Sequence, residues 1–572
     1  MKDKREFYRL LSDLNGKPIE DYQQIIGDYD FTRFVIKCFP FKISRNKVNP
    51  VFSIRVPQTI AEIPETFFDT PIKKIALEDF LLRNFNSSVE ELAIFDETGI
   101  AYRNIILSLP DQTILPRNAI IVTREYLEVR VEISLPIQQV LINDVTSFVI
   151  DGLKAQHLFF ESLMEAVGES LLFCNMETEI VQKHVNNMEN AHSLRQYLES
   201  TGDVAFLSSG SLLDREDDTD LPNYDNSKLL EVDEDIIQKI ETPFSGTVEG
   251  MGIPTGLTLI IGESNDRTNL VNTIVQGIYN HIPYDGRELC VTSSDAVEIY
   301  AEPGRPVQDV DISVFVNNKK DYTNFTSTNC NAFESQAAST VEALEAGSRV
   351  LLFDEDSSSS EFLSSDSRLN EIHPKSFKSL VSIARQMVDD LGISIIISGS
   401  NLIAEYIPIA NTIYKIEDST VKNITDEAKA LNINKVPVEK IDDLSSLLSR
   451  SRMIMPSSID PSIKEKDVFI NVNNAGILQF GRFQIDVSNM YQIVSLDQVR
   501  SIGLILYYAK LRYMDEGFSF REILDVVDRD MSSEGLNAVA REFCGDLARP
   551  RRFEIAALIN RLPNFRVSHV TQ

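Results

Sequence analysis

The segment from Gly250 to Asn280 constrains the fold of this 572-residue chain more than any other. An apolar run from Leu257 to Gly262 predicts a buried strand, the residues from Glu263 to Asp266 predict a short loop, and an amphipathic helix is expected to begin near Arg267. A strand, a tight loop and a helix in this order form the architecture of a phosphate-binding loop. The segment is therefore either such a site or the remnant of one.

A loop of this kind needs the pattern G-x-x-x-x-G-K-[ST], because glycines let backbone amides surround the phosphates, lysine reaches the β- and γ-phosphate oxygens, and the hydroxyl holds Mg²⁺. Here the eight places, Ile261 to Thr268, read IGESNDRT. Gly262, the hydroxyl of Thr268 and a cation at Arg267 are candidate nucleotide contacts, with Thr268 as a Mg²⁺ ligand. Both required glycines are absent, and the planar guanidinium of arginine does not replace a compact ammonium.

Asp266 brings a carboxylate to the place of the second glycine. At about 5 Å from a phosphate charge, with an effective dielectric constant near 20, it would oppose binding by roughly 3 kcal/mol. Two interpretations follow for this loop: it has lost useful ATP binding, or it binds nucleotide in a weakened or altered way.

Composition excludes several classes of protein. The chain is 43% hydrophobic and 25% charged, which is typical of a globular protein, and it has no apolar run long enough for a membrane span. The N-terminus lacks the apolar core of a signal peptide, and the five cysteines are widely spaced. We therefore expect the cytoplasm or another reducing intracellular compartment. A net charge of −31 disfavours nucleic acid unless a local basic patch exists.

Patterning predicts three regions: a mixed N-terminal domain of residues 1–235, an α/β core of residues 240–430 and a mixed C-terminal domain of residues 431–572. In the core, near-continuous apolar strands alternate with helices, which indicates a mostly parallel sheet covered on both faces. The acidic stretch between Asp214 and Asp235 is interpreted either as a solvated linker or surface loop, or as a site for a basic partner.

Several stretches together resemble one family, the ABC class of predicted ATPases found in bacteria, a relative of which belongs to the mitochondrial RNA-editing machinery of trypanosomes. They occur in the order of the family and span nearly the whole chain. The matching stretches are Gly250 to Gly262, Tyr279 to Thr292, Ala301 to Ser313, Glu334 to Gly347, Leu351 to Leu363 and Gly545 to Leu562.

The resemblance implies an ABC-type P-loop NTPase core between mixed α+β N-terminal and C-terminal regions. It also implies a homodimer that holds nucleotide between the P-loop of one subunit and the signature motif of the other. Asp354 would bind Mg²⁺ and Glu355 would be the general base, vestigial if no γ-phosphate is bound. Acids that simply end a strand are the alternative.

The second half of this composite site is also altered. The family carries a Ser-Gly-Ser type segment before a Ser-Gln-Ala-Ala helix, and here Asn331, Ala332 and Phe333 take its place. Ser335 and Gln336 are retained and are candidate nucleotide contacts. A phenylalanine donates no hydrogen bond and would crowd a phosphate, so two distant parts of the sequence are altered at one site.

Arg549, Arg551 and Arg552 admit two interpretations. They would line a channel for RNA phosphates, or they would pair with carboxylates of this acidic chain. The six histidines show no metal-ligand spacing and are interpreted as structural or surface residues.

The leading hypothesis is an ABC-class ATPase-like scaffold that binds a protein partner, with no cofactor or only weak ATP and Mg²⁺. An active ATPase and an RNA-binding subunit are the alternatives.

Overall fold

The computed structural model describes residues 1–44, 46–92, 94–95, 101–102, 104–142, 145–217, 219–225, 227–317, 322–364, 377–431, 433, 441, 444–464, 467–514 and 517–568. The chain divides into two compact units. The first comprises Met1–Met188 and Gly535–Arg549, and the second comprises Glu189–Glu534 and Pro550–Gln572. The division into three domains stays a prediction.

A largely antiparallel sheet forms the centre of the first unit. Val51–Pro57 pairs antiparallel with Tyr126–Ile133 in register, and it buries Phe52, Ile54 and Val56. The other strands of this sheet are Lys2–Asp3, Gly27–Asp30, Val35–Cys38, Ile105–Ile106 and Ile120–Val122.

Helices and hairpins complete the first unit. The longest helix that lies wholly in this unit, Pro71–Glu91, begins with Thr70 as its cap. The other helices are Lys4–Leu14, Gln58–Ala61, Gly152–His157, Leu163–Leu171 and the first part of Thr178–Thr201. The other strands are Ile94–Phe95, Ala101–Tyr102, Thr113–Ile114, Ile137–Ile142 and Val145–Ile150.

A seven-stranded sheet forms the core of the second unit. Its strands are β1 (Glu231–Val232), β2 (Leu257–Gly262), β3 (Ala296–Glu298), β4 (Val350–Asp354), β5 (Ser394–Gly399), β6 (Thr412–Glu417) and β7 (Thr420–Asn423). The order is β1-β7-β6-β2-β5-β4-β3, and all neighbours are parallel except the hairpin β6–β7. The predicted mostly parallel sheet is therefore confirmed, and its carboxyl edge brings the ends of β2, β4 and β5 together.

Three helices bear on the site. They are α1 (Ser264–Gln276), α2 (Ala332–Glu345) and α3 (Ala384–Leu391). The segment before α3 is not helical throughout: Phe377 pairs with Val316 in an extended bridge, and a 3-10 turn, Leu380–Ser382, precedes α3.

Smaller sheets and helices surround this core. The strands are Asp203–Ser208, Ile237–Thr242, Gly246–Pro254, Asn280–His281, Val291–Thr292, Val307–Val310, Phe325–Ser327, Met453–Ile454, Ile470–Val472, Ile477–Phe480, Phe483–Asp486 and Val567–Ser568. The helices are Ser360–Leu363, Thr425–Lys429, Ser446–Ser449, Leu496–Arg512, Phe520–Glu534 and Arg552–Asn560. Among the described residues, no helix combines the length and the apolar character that a membrane crossing requires.

Candidate functional site

The connection from β2 to α1 is a single residue long. The strand ends at Gly262, Glu263 is extended (φ −65°, ψ 152°), and the helix begins at Ser264. The prediction that the helix begins near Arg267 is wrong, because the residues just before it already have helical geometry. All residues from Leu257 to Gln276 are described, and none has a positive φ. A connection this short does not direct several successive amides at one phosphate.

Gly262 is required by the packing of two strands. It lies opposite Ile416 of β6, and a Cβ at Gly262 would lie 2.6 Å from both the carbonyl oxygen and Cγ2 of Ile416. A side chain would therefore push β2 away from β6. Strand packing accounts for this glycine without any bound phosphate.

Arg267 points into the protein. Its side chain is only 2% exposed, Nη2 donates a hydrogen bond to Oδ2 of Asp356, and Nε lies 3.6 Å from Oδ1 of Asp354. The cation of the loop pattern is thus neutralised by two carboxylates that follow β4. A charge buried among its own partners costs free energy to withdraw.

Asp354, the predicted Mg²⁺ ligand, faces this guanidinium. Its Oδ1 also accepts a hydrogen bond from Oγ of Ser398 on β5. Burial raises the pKa of Asp354 even though Ser398 and Arg267 act to lower it. On the edge strand β3, burial and the charge of Asp354 raise the pKa of Glu298 to about 7.

Thr268, the other predicted Mg²⁺ ligand, is half-buried in the first part of α1. Within the part of the chain that the structure describes, no group of three His, Cys, Asp or Glu side chains has the arrangement of a metal site.

Glu355 is held by the backbone that follows β5. Its Oε2 accepts hydrogen bonds from the N–H groups of Ser400 (2.6 Å) and Asn401 (2.9 Å). Burial alone would raise the pKa of Glu355, but these amide hydrogen bonds outweigh it and lower the pKa. Gly399 makes room for this arrangement, since a Cβ there would collide with Oε2. A carboxylate whose pKa is lowered in this way is a weaker base.

Asp266 contacts the β6–β7 hairpin. Its Oδ2 accepts a hydrogen bond from the N–H of Ser419 (3.3 Å), and the two hairpin tip residues, Asp418 and Ser419, have φ of 50° and 61°. Positive φ at both central residues is the geometry of a type I′ turn. The acid that replaces the loop glycine therefore contacts the protein's own backbone.

The N-terminus of α2 is closed by its own cap. Asn331 Oδ1 accepts from the N–H of Glu334 (2.9 Å), and Glu334 Oε2 accepts from the N–H of Asn331 (3.1 Å). This reciprocal pair is a capping box, which satisfies donors that would otherwise face a phosphate. Phe333 is buried, with its ring centroid 4.3 Å from that of Phe377.

Ser335 and Gln336 lie in the interior of this chain. Both are 0% exposed. Oγ of Ser335 accepts from the N–H of Glu302 (3.0 Å). Oε1 of Gln336 accepts from the N–H of Ser359 (2.8 Å), while its Nε2 donates to Oγ of Ser358 (2.8 Å). These bonds fix the loop that follows β4.

The arginines near the C-terminus are engaged within the chain. Arg551 is ion-paired with Glu554 (2.6 Å), and Arg552 with Asp525 (2.5 Å). Arg549 belongs to the first unit, where it is half-buried. Pairing with the chain's own carboxylates therefore describes Arg551 and Arg552.

Two of the described histidines contact carboxylates of their own unit. His184 contacts Asp79 (3.1 Å), and His281 contacts Asp285 (3.0 Å). His373 and His569 lie outside the described residues.

Sequence analysis missed a polar cavity of about 490 Å³ beside α1. Arg215, Arg287 and Glu298 line it together with Asp354 and Asp356. In the sequence, its lining arginines stand in Asp214-Arg215, at the start of the acidic stretch, and in the run from Asp285 to Glu288. Neither stretch has the pattern of a phosphate-binding loop or of a metal site.

Part of the acidic stretch packs against the core. Asp214 accepts a hydrogen bond from Asn269 of α1 (2.5 Å), and Asp220 lies 3.5 Å from Arg287. The linker interpretation does not hold for these two residues, because Asn269 and Arg287 hold them, whereas a surface loop is compatible with both contacts. Asp218 lies outside the described residues.

Three family models match successive parts of the chain. Residues 5–174 match the N-terminal domain of ATPases of the ABC class, residues 177–451 match the P-loop domain of ABC ATPases, and residues 470–568 match the MRB1590 C-terminal domain. The P-loop match confirms the predicted ABC-type α/β core.

The chain has a weak match to a solved structure, by identity and by TM-score. The structure of cbiO1 from Clostridium perfringens, described as part of the ABC transporter complex cbiONQ, is 12% identical and covers 40% of this chain and 91% of its own, with a TM-score of 0.24. No curated protein matches the chain. On the strength of the family models, the chain belongs to the ABC class of ATPases and is related to the MRB1590 family.

Proposed function

We propose that this chain keeps the fold of a nucleotide-binding ABC-class ATPase but works by binding partners and not by ATP turnover. The observation that carries the proposal is the position of Arg267, which is buried against Asp354 and Asp356 in the first part of α1, after a one-residue connection. The groups that would bind Mg²⁺ and phosphate in an active relative are here bound to one another.

Magnitudes favour this proposal. Withdrawing Arg267 from its carboxylates costs about 3–5 kcal/mol, opening the cap at Asn331 costs about 1 kcal/mol, and a phosphate near Asp266 meets a repulsion of roughly 3 kcal/mol. Together these costs are comparable with the binding free energy of a complex that has a micromolar dissociation constant, about 8 kcal/mol. Any nucleotide that binds in the manner of the family therefore binds weakly.

The proposed partners are a second copy of the chain, as the family resemblance implies, and an unidentified protein. RNA is disfavoured, because Arg551 and Arg552 are already paired with Glu554 and Asp525. A reducing intracellular compartment is the proposed setting, and the five cysteines are free thiols.

Calorimetry and a hydrolysis assay test the proposal on the full chain. We expect no hydrolysis above background, no rise in melting temperature with ATP and Mg²⁺, and no measurable heat of binding. A millimolar or tighter dissociation constant for ATP·Mg²⁺ that is abolished by Arg267→Ala would overturn it. Thr268→Ala is a second variant for the same binding measurement. Thr268 is only half-buried and its replacement leaves the Arg267 ion pairs in place, so a loss of ATP·Mg²⁺ binding in this variant is not caused by the loss of those pairs.

An active ATPase is the second candidate, because Asp354 and Glu355 still end β4 at the carboxyl edge of the sheet. It requires hydrolysis by the purified protein that falls in Glu355→Gln. Equal rates in the two proteins would exclude it.

A further inference from the structure

The polar cavity beside α1 lies at the edge of the core sheet, outside the carboxyl ends of β3 and β4. Its volume of about 490 Å³ is in the range of small-molecule sites. Asn269, Asn272 and Gln276 line it from α1, while Glu298 lines it from β3, Asp354 from the end of β4 and Asp356 from the turn after β4. Polar groups that converge on a cavity of this size are typical of a ligand site.

The balance of charge around the cavity is acidic. Three arginines and five carboxyl groups line it or pair directly with its lining: Arg215, Arg267 and Arg287, and Asp220, Asp285, Glu298, Asp354 and Asp356. The arginines are engaged: Arg215 is 3.1 Å from Asp285, Arg287 is 3.5 Å from Asp220, and Arg267 contacts the two aspartates after β4. Carboxyl groups are in excess, so the cavity favours a cation over an anion.

Glu298 differs from the other four carboxyl groups in having no arginine partner among the described residues. None of the described residues pairs with its carboxyl oxygens. Its backbone N–H is fixed by Oε1 of Gln492 (3.1 Å), whose side chain thereby pairs with the outer edge of β3. This contact holds the neighbouring Tyr491 at the cavity, which both Tyr491 and Glu298 line.

Two tyrosines line cavities that this carboxyl group also lines. Tyr491 is 52% exposed, and its ring centroid lies 5.2 Å from that of Tyr300. Glu298, Tyr300 and Tyr491 also line a second, smaller cavity next to the first. A carboxylate with adjacent ring faces is the combination that binds an organic ammonium, through a charge-assisted hydrogen bond and cation–π attraction.

We propose that this cavity binds a linear aliphatic polyamine, with one ammonium group at Glu298 and Tyr491 and a further ammonium group at Asp356. Asp356 suits the second position, because its side chain is 57% exposed and Arg267 contacts only its Oδ2. A flexible chain of methylenes between ammonium groups fits walls that carry carboxyl groups on separate elements. The proposal does not depend on the absence of ATP turnover.

Calorimetric titration of the full chain with spermidine at physiological ionic strength and about pH 8, above the pKa of Glu298, tests the proposal with this side chain ionised. We expect saturable binding, and binding about 10- to 100-fold weaker in Glu298→Gln, since a hydrogen bond to a charged group accounts for a factor of this size. Glu361→Gln is the matched control, because it removes the same charge from an exposed side chain away from the cavity. Its affinity for spermidine should equal that of the parent.

Three results would overturn the proposal. They are no binding of spermidine by the parent, equal weakening in Glu298→Gln and Glu361→Gln, which would indicate attraction by net charge alone, or binding of inorganic phosphate at the cavity in place of spermidine. The melting temperature of unliganded Glu298→Gln, which should be no lower than that of the parent, shows that this variant is folded.

Discussion

Replacing Arg267 by methionine tests whether this cation belongs to the core or awaits a ligand. In an active P-loop the corresponding lysine serves the phosphates, so its loss leaves the unliganded protein nearly as stable. Here Nε lies 3.6 Å from Asp354, where the attraction at an effective dielectric constant near 20 is about 4–5 kcal/mol before desolvation. The contact with Asp356 adds little, because that side chain is 57% exposed.

Two effects set the net magnitude. Removing one partner of a buried pair costs about 3–5 kcal/mol, while Asp354, whose pKa burial already raises, relieves part of this cost by taking up a proton. We therefore expect Arg267→Met to lower the free energy of unfolding by about 3 kcal/mol at neutral pH. Methionine keeps the apolar stem of the side chain, so the change reports mainly on charge.

Urea denaturation followed by circular dichroism measures this change in the absence of nucleotide. A double-mutant cycle with Asp354→Asn assigns it to the pair, with an expected coupling of about 2 kcal/mol. If Arg267→Met stays within about 0.5 kcal/mol of the parent, the ordinary range for a surface change, or if the coupling is near zero, then Arg267 is not held by Asp354 and the reasoning fails.

Two further predictions concern packing and pH. Gly262→Ala should destabilise the protein by about 1–3 kcal/mol, because its Cβ would meet the backbone of Ile416. Gly168→Ala is the control: it lies in a helix where a Cβ would meet no atom within 4 Å apart from the adjacent backbone, so it should be neutral or stabilising by up to about 1 kcal/mol. Thermal unfolding compares the two variants. The pKa of Glu298 is raised from 4.5 to about 7, so the folded state holds a proton that the unfolded state has lost between these values. The free energy of unfolding of the parent should therefore fall relative to that of Glu298→Gln, by up to about 3 kcal/mol, as the pH rises from about 4.5 to about 7. Urea denaturation of both proteins across this range measures the difference, and a difference that does not change with pH would contradict the raised pKa of Glu298.

The core sheet was accessible from the sequence because its strands are short apolar runs bounded by helices. Leu257–Gly262 was predicted with the bounds that the structure has, and the mostly parallel pairing, but not the strand order, followed from the alternation of strands and helices. The loop was not accessible in the same way. Residues such as Ser264 and Asp266 are compatible with both a loop and a first helical turn, and the choice depends on contacts with β6–β7 that lie far away in sequence.

The partners of the site residues were also beyond sequence reasoning. The pattern identified Asp354 and Glu355 as the acids after β4, but nothing local indicates that Arg267 turns toward Asp354 or that the amides of Ser400 and Asn401 bind Glu355. The cavity at Glu298 was missed for the same reason, since its walls come from distant segments.

The tie between Glu355 and the turn after β5 limits any attempt to engineer hydrolysis into this chain. Restoring the lysine and glycines of the loop would restore a phosphate-binding loop. One carboxylate oxygen of Glu355, the acid expected to activate water, would still accept hydrogen bonds from two backbone amides, each worth about 1.5–3 kcal/mol. A chain changed in this way would bind nucleotide but would not hydrolyse it. Turnover would also require rebuilding the Gly399 turn, so that those amides face elsewhere and the carboxylate regains its basicity.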